Sequence, residues 1–188
     1  MPLDLRRIIR RALAGDQAAM AELVHAYEGQ VFGLCYRLLG SRPDAEDMAQ
    51  ESFVRALRAL ASWDPERPFE PWLLAIAANR CRTLLAKRKR RPATALLESE
   101  LADPAPERHA AQPLVEEVTL ALAELREEYR QAFVLFHEYE LSYHEIAEAL
   151  GCPLGTVKTW VHRARRELID RLRRREVFED TRYAVRTV

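Results

Sequence analysis

The chain has 188 residues, 48% apolar and 31% charged, with 29 cationic and 29 acidic side chains. That length holds one mid-sized domain or two small ones, and the composition is ordinary for a globular protein. No run approaches the ~18 apolar residues of a membrane span. Cys35, Cys81 and Cys152 are odd in number and form no CxxC, which argues against a disulfide framework or a zinc knuckle and for packing residues in a cytoplasmic protein.

The opening MPLDLRRIIRRALAGDQ has two Arg pairs but no apolar core or cleavage site, so no signal peptide is expected. Asp16, after Gly15, is a good N-cap. It precedes a helical pattern over 23–39, where Leu23, Val24, Tyr27, Val31, Leu34, Cys35 and Leu38 step by three and four. Residues 44–60 repeat the pattern through Ala45, Met48, Phe53, Ala56, Leu57 and Leu60. Residues 71–85 repeat it through Trp72, Leu73, Ile76, Ala77, Leu84 and Leu85, and Pro71 suits a first turn. Residues 91–113 hold four of the ten prolines and little periodicity, as a linker would. From Leu114 the helical pattern returns through Val118, Leu122, Leu125, Phe133, Val134 and Leu141. No alternating β-branched run is long enough for a strand. The expected fold is all-α: two small helical domains joined by a flexible acidic linker, with a tail over 176–188 of no assigned role.

The balanced net charge conceals segregation. Residues 79–91 hold seven Arg or Lys and no acid, 92–128 nine acids and two basics, and 155–175 eight basics and two acids. Two basic segments separated by an acidic one suggest two contacts with a polyanion.

The sharpest motif is SYHEIAEALGCPLGTVKTWVHRARREL, residues 142–168. Ser142 and Glu145 form a capping box. Gly151 sits where a turn needs positive φ, and Pro153 opens the next helix. Val157 and Val161 face inward, four residues apart. This is the grammar of a helix-turn-helix, whose second helix enters a major groove. Its outer face carries Lys158, Thr159, His162, Arg163 and Arg166; Arg and Lys suit guanine edges and phosphates, and Thr suits several bases. A solvated basic helix is the bland alternative. His137-Glu138 lacks the second His of a zinc helix, the other histidines have no partner at ligand spacing, and no phosphate loop or nucleophile elbow occurs. Neither an enzyme nor a cofactor or metal is expected.

With these residues in view, the chain resembles the extracytoplasmic-function branch of the bacterial sigma-70 family of RNA polymerase sigma factors, over nearly its whole length. RLLGSRPDAEDMAQESFVRAL is similar to the domain-two helix, FEPWLLAIAANR to the promoter-melting helix, and LSYHEIAEALGCPLGTVKTWVHRARREL to the domain-four helix-turn-helix. The resemblance implies sigma domain 2 over 1–91, a linker over 92–113 and sigma domain 4 over 114–175. It implies binding to core polymerase (β and β′ subunits) and to promoter DNA, and an anti-sigma partner. Asp44, Glu46, Asp47, Gln50 and Glu51 would form the face that docks on core polymerase; alone, they also read as a solvated acidic helix start.

Trp63 and Asn79 would hold a flipped base of the −10 element, while Phe69 and Trp72 read as core. Arg80, Arg82, Lys87, Arg88 and the cations after them would follow the phosphates. Glu98, Glu100, Asp103 and Glu107 would make the linker resemble nucleic acid in charge. At −35, Lys158, Thr159, Trp160, His162, Arg163 and Arg166 would lie in the groove. Family members commonly carry Arg where this chain has Trp160, so that residue could pack on a thymine methyl or a sugar, or fold back on the domain. The rivals are a stand-alone helix-turn-helix regulator and a helical adaptor.

Overall fold

The computed structural model describes residues 4–90 and 113–175. The described residues form eight α-helices. α1 (Leu5–Leu13), α2 (Gln17–Leu39), α3 (Arg42–Ala59) and α4 (Phe69–Arg90) build the first half. α5 (Pro113–Ala123), α6 (Glu127–His137), α7 (Tyr143–Leu150) and α8 (Leu154–Arg174) build the second. The acidic linker residues and the tail lie outside the described residues.

Local chemistry sets the boundaries. Asp16 Oδ1 accepts from the amides of Ala18 at 2.9 Å and Ala19 at 3.2 Å, satisfying two orphan donors at the start of α2. Gly40, at φ 70°, ends that helix in the left-handed region. Helix α1 was not anticipated, although Leu5, Ile8, Ile9 and Ala12 carry its spacing. Asp4 caps it, and Ile8, Ile9 and Ala12 are buried against α2.

The expected apolar faces turn inward. Leu34, Leu38, Leu73 and Leu74 are fully buried, each stabilising by about 1.5–3 kcal/mol relative to exposure. The buried cluster does not stop at the first half. It runs from Leu23, Leu38, Phe53 and Leu73 into Val134, Leu135, Ile146, Leu150 and Val157 of the second. A smaller cluster, with Leu122, Leu125, Tyr129, Leu168 and Leu172, ties α5 and α6 to α8. The two halves are therefore packed together, α4 on α7 and α2 on α6.

Candidate nucleic-acid and polymerase interfaces

The helix-turn-helix forms as its residues require. Ser142 Oγ accepts from Glu145 N at 3.3 Å, and Glu145 Oε2 accepts from Ser142 N at 2.8 Å, a complete capping box. Gly151 takes φ 60°, which a side chain adopts only with strain. Val157, Val161 and Ala164 are buried, so α8 presents Lys158, Thr159, His162, Arg163 and Arg166 to solvent. Three of these are already oriented. Arg163 Nη1 donates to the Tyr129 hydroxyl at 3.0 Å, which raises the Arg163 pKa and lowers that of Tyr129. The Lys158 ammonium lies 5.9 Å from the Tyr143 ring centroid. Thr159 Oγ1 donates to Gly155 O at 2.8 Å, so its hydroxyl offers only acceptor capacity outward. Trp160 is half-buried and packs against both apolar clusters. The buried side of its ring thus packs on the domain.

The first half presents α4 and the loop before it. Phe69 is buried, with Tyr27, Trp63 and Trp72 around it at ring centroid distances of 5.3, 5.5 and 5.4 Å. Trp63 meets Phe69 edge-on and is half-buried, and its indole Nε1 is enclosed with no acceptor among the described residues. Asn79 Oδ1 accepts from Arg82 Nη2 at 2.8 Å. Arg82, Thr83, Ala86, Lys87 and Arg90 line an open groove of about 650 Å³ along α4. Lys87 points to solvent, while Arg88 Nη2 pairs with Asp44 at 2.6 Å. Arg80, expected on phosphates, is mostly enclosed and pairs with Glu51 Oε1 at 2.6 Å.

That pairing divides the acidic face of α3. Glu51 is held by Arg80 and Arg55, which keeps its carboxyl below the usual range, the Arg80 hydrogen bond first. Asp44 is held by Arg88, and Glu46 by Arg42 at 3.0 Å. Asp47 and Gln50 are exposed and carry no partner among the described residues. The face that reads as one acidic surface thus consists of two free polar groups beside three carboxylates bound within the fold.

Sequence reasoning missed the arginines at the seam. Arg82 Nη1 donates to Leu150 O at the end of α7, and Arg130 Nη2 donates to Leu38 O, 2.6 Å away, at the end of α2. Each half caps an orphan helix carbonyl of the other. Burial lowers the Arg130 pKa. The sequence signal was slight: two arginines on apolar helix faces. Among the described residues no His, Cys, Asp or Glu cluster could hold a metal ion, and no helix is long and apolar enough to cross a membrane.

The family model for Sigma-70 region 2 matches residues 23–91, and that for Sigma-70, region 4 matches residues 116–168. The chain is 36% identical to the ECF RNA polymerase sigma factor SigW of Bacillus subtilis, over 92% of this chain and 99% of that protein. It is 33% identical to the RNA polymerase sigma-H factor of Pseudomonas aeruginosa, over 88% of this chain and 92% of that one. Among solved structures it superposes on CnrH in complex with the cytosolic domain of CnrY with a TM-score of 0.63 and 29% identity, over 89% of this chain and 96% of that chain.

Proposed function

The chain belongs to the extracytoplasmic-function branch of the sigma-70 family of RNA polymerase sigma factors, and from that membership we propose how its helices divide the work of initiation. The free edge of α3, Asp47 and Gln50, makes the principal contact with core polymerase, steered by charge and finished by hydrogen bonds. The outer face of α8 enters the major groove of the −35 element, with Arg163 and Arg166 at base edges and phosphates. The α4 groove tracks the displaced strand at −10, with Lys87 and Arg90 on its phosphates. Asn79 and Trp63 hold an unpaired base there. Neither contact exists while the duplex is closed, so their binding energy favours the melted form.

The observation that carries this reading is the presence, on one chain, of two cationic helical surfaces with different chemistry. α8 is built for a groove; the α4 groove starts beside the Asn79 amide, and the aromatic loop sits at the other end of the same helix. An anti-sigma protein is proposed as a further partner, since the relative CnrH is solved in complex with the cytosolic domain of CnrY.

Run-off transcription with purified core polymerase and a promoter library tests the reading. The chain should confer initiation at a shared pair of elements, and should bind promoter weakly without core. Nanomolar binding of one duplex site at physiological salt by the free chain would instead indicate a stand-alone helix-turn-helix regulator.

A further inference from the structure

The loop that leads from Trp63 into α4 has no apolar anchor of its own, because every residue from Asp64 to Pro68 is exposed. Its shape comes from within. Asp64 Oδ1 accepts from the Glu66 amide at 3.0 Å, and Asp64 O accepts from the Arg67 amide at 3.0 Å, which closes a tight turn. Those bonds fix the turn but not where it sits against the helices.

Within the first half, that placement comes from Arg6 of α1. Its Nη2 donates to Pro65 O at 3.0 Å and lies 3.5 Å from Glu66 Oε1. The ion pair has both partners exposed and contributes little alone. The bond to the carbonyl is charge-assisted and directional, so one side chain pins the turn at two adjoining residues. α1 is a firm base for it. Asp4 caps the helix, Ile8, Ile9 and Ala12 are buried, and α1 also packs on the short turn Leu60–Ser62 just before Trp63. Two acids in a loop that faces a polyanion are thereby accounted for. The Asp64 carboxylate is occupied by the turn, and the charge of Glu66 is offset by Arg6.

We propose that Arg6 is a positioning residue for −10 strand capture: from α1 it fixes the turn over 64–67 and so sets the direction in which Trp63 meets an unpaired base. The proposal rests on the sigma-factor reading of that loop. It gives α1 a part in melting without a DNA contact of its own. A loop already held in place loses less freedom when the base arrives, so more of the stacking energy is left to favour the open form.

The test uses holoenzyme assembled from core polymerase and the full chain, on a duplex promoter recovered by run-off selection with the wild type. Arg6→Ala should reduce permanganate-reactive open complex at −10 about fivefold, while core binding, −35 recognition and thermal unfolding stay near wild type. Arg6→Lys, which keeps a donor and a charge, should recover part of the loss. A double-mutant cycle with Trp63→Ala separates positioning from direct contact. Arg6→Ala should add little to the Trp63→Ala defect and should leave the salt slope of promoter binding unchanged. Equal losses in both backgrounds, or a salt slope reduced by about one, would make Arg6 an independent phosphate contact and overturn the proposal. Wild-type melting by Arg6→Ala would overturn it as well. Failure of the wild type to confer run-off initiation with core overturns the sigma-factor reading instead.

Discussion

Asn79 and Arg82 are joined by a 2.8 Å hydrogen bond in which the amide oxygen accepts from Nη2. A guanidinium only donates, so this bond fixes which way the amide faces. With its oxygen held, Asn79 has its NH₂ group left to offer a base. Asn79→Ala and Asn79→Asp should therefore both reduce permanganate-reactive open complex at −10, while core binding and −35 recognition stay near wild type. Wild-type melting by the Asp variant would mean that Asn79 does not act as a donor there.

Trp63 packs edge-on against Phe69, so the variant that isolates stacking must respect its packing. Trp63→Ala should lose ~1–3 kcal/mol of strand binding. A template with a pre-melted bubble at −10 should recover part of the defect, because unstacking is already accomplished. Trp63→Phe should fall between Ala and wild type. A defect of equal size on bubble and duplex templates assigns Trp63 to the fold alone.

The two cationic surfaces should respond differently to loss of charge. Arg163→Ala should cost ~1–3 kcal/mol, with a size that depends on the −35 sequence. Lys87→Ala should weaken holoenzyme binding evenly across promoters and reduce the salt slope by about one. Sequence-blind losses from both would reduce Arg163 to a phosphate contact. Tyr129→Phe offers a refinement. Without the hydroxyl that holds Arg163, discrimination at −35 should soften while the charge remains.

On α3, Asp47→Ala with Gln50→Ala should weaken association with core polymerase in a pull-down and leave circular dichroism unchanged. Undiminished binding would return that edge to an ordinary solvated surface.

Glu51→Gln should act on stability instead. Arg80 keeps the Glu51 carboxyl below its ordinary range, so the pair contributes fully above about pH 4.3 and fades as pH falls through the depressed folded value. The variant should cost about 1 kcal/mol in urea unfolding at neutral pH, near the upper end for exposed pairs because Arg80 is 18% exposed. Its stability should also decline less than wild type between neutral pH and pH 3. An identical decline in both would leave the pair without a role in acid unfolding.

The parts legible in the sequence are those fixed by nearest neighbours along the chain. The capping box at Ser142, the left-handed Gly151, the buried Val157 and Val161 and the outward cations of α8 follow from spacing alone. The three apolar stripes of α2, α3 and α4 do too. What spacing does not carry is which charges meet across helices. Asp44, Glu46, Asp47, Gln50 and Glu51 form one run in the sequence. Only the approach of α4 shows that Arg88 and Arg80 engage the first and last of them. Arg82 and Arg130 lay further out of reach, since their partners are backbone carbonyls 68 and 92 residues away. A carbonyl leaves no mark in residue identity. Trp160 is intermediate: its departure from the family pattern is visible, but its inward packing depends on two clusters that converge only in the fold.

The long reach of those carbonyl bonds also orders events at the ribosome. The first half is complete once Arg90 has emerged, but the carbonyl that Arg82 grasps belongs to Leu150, sixty residues later. At bacterial elongation rates of about 5–20 residues per second, that interval lasts about 3–12 s. A four-helix half can fold within it, before α7 has been translated. Every newly made chain thus begins with its α4 face uncovered, whatever equilibrium the finished molecule later reaches.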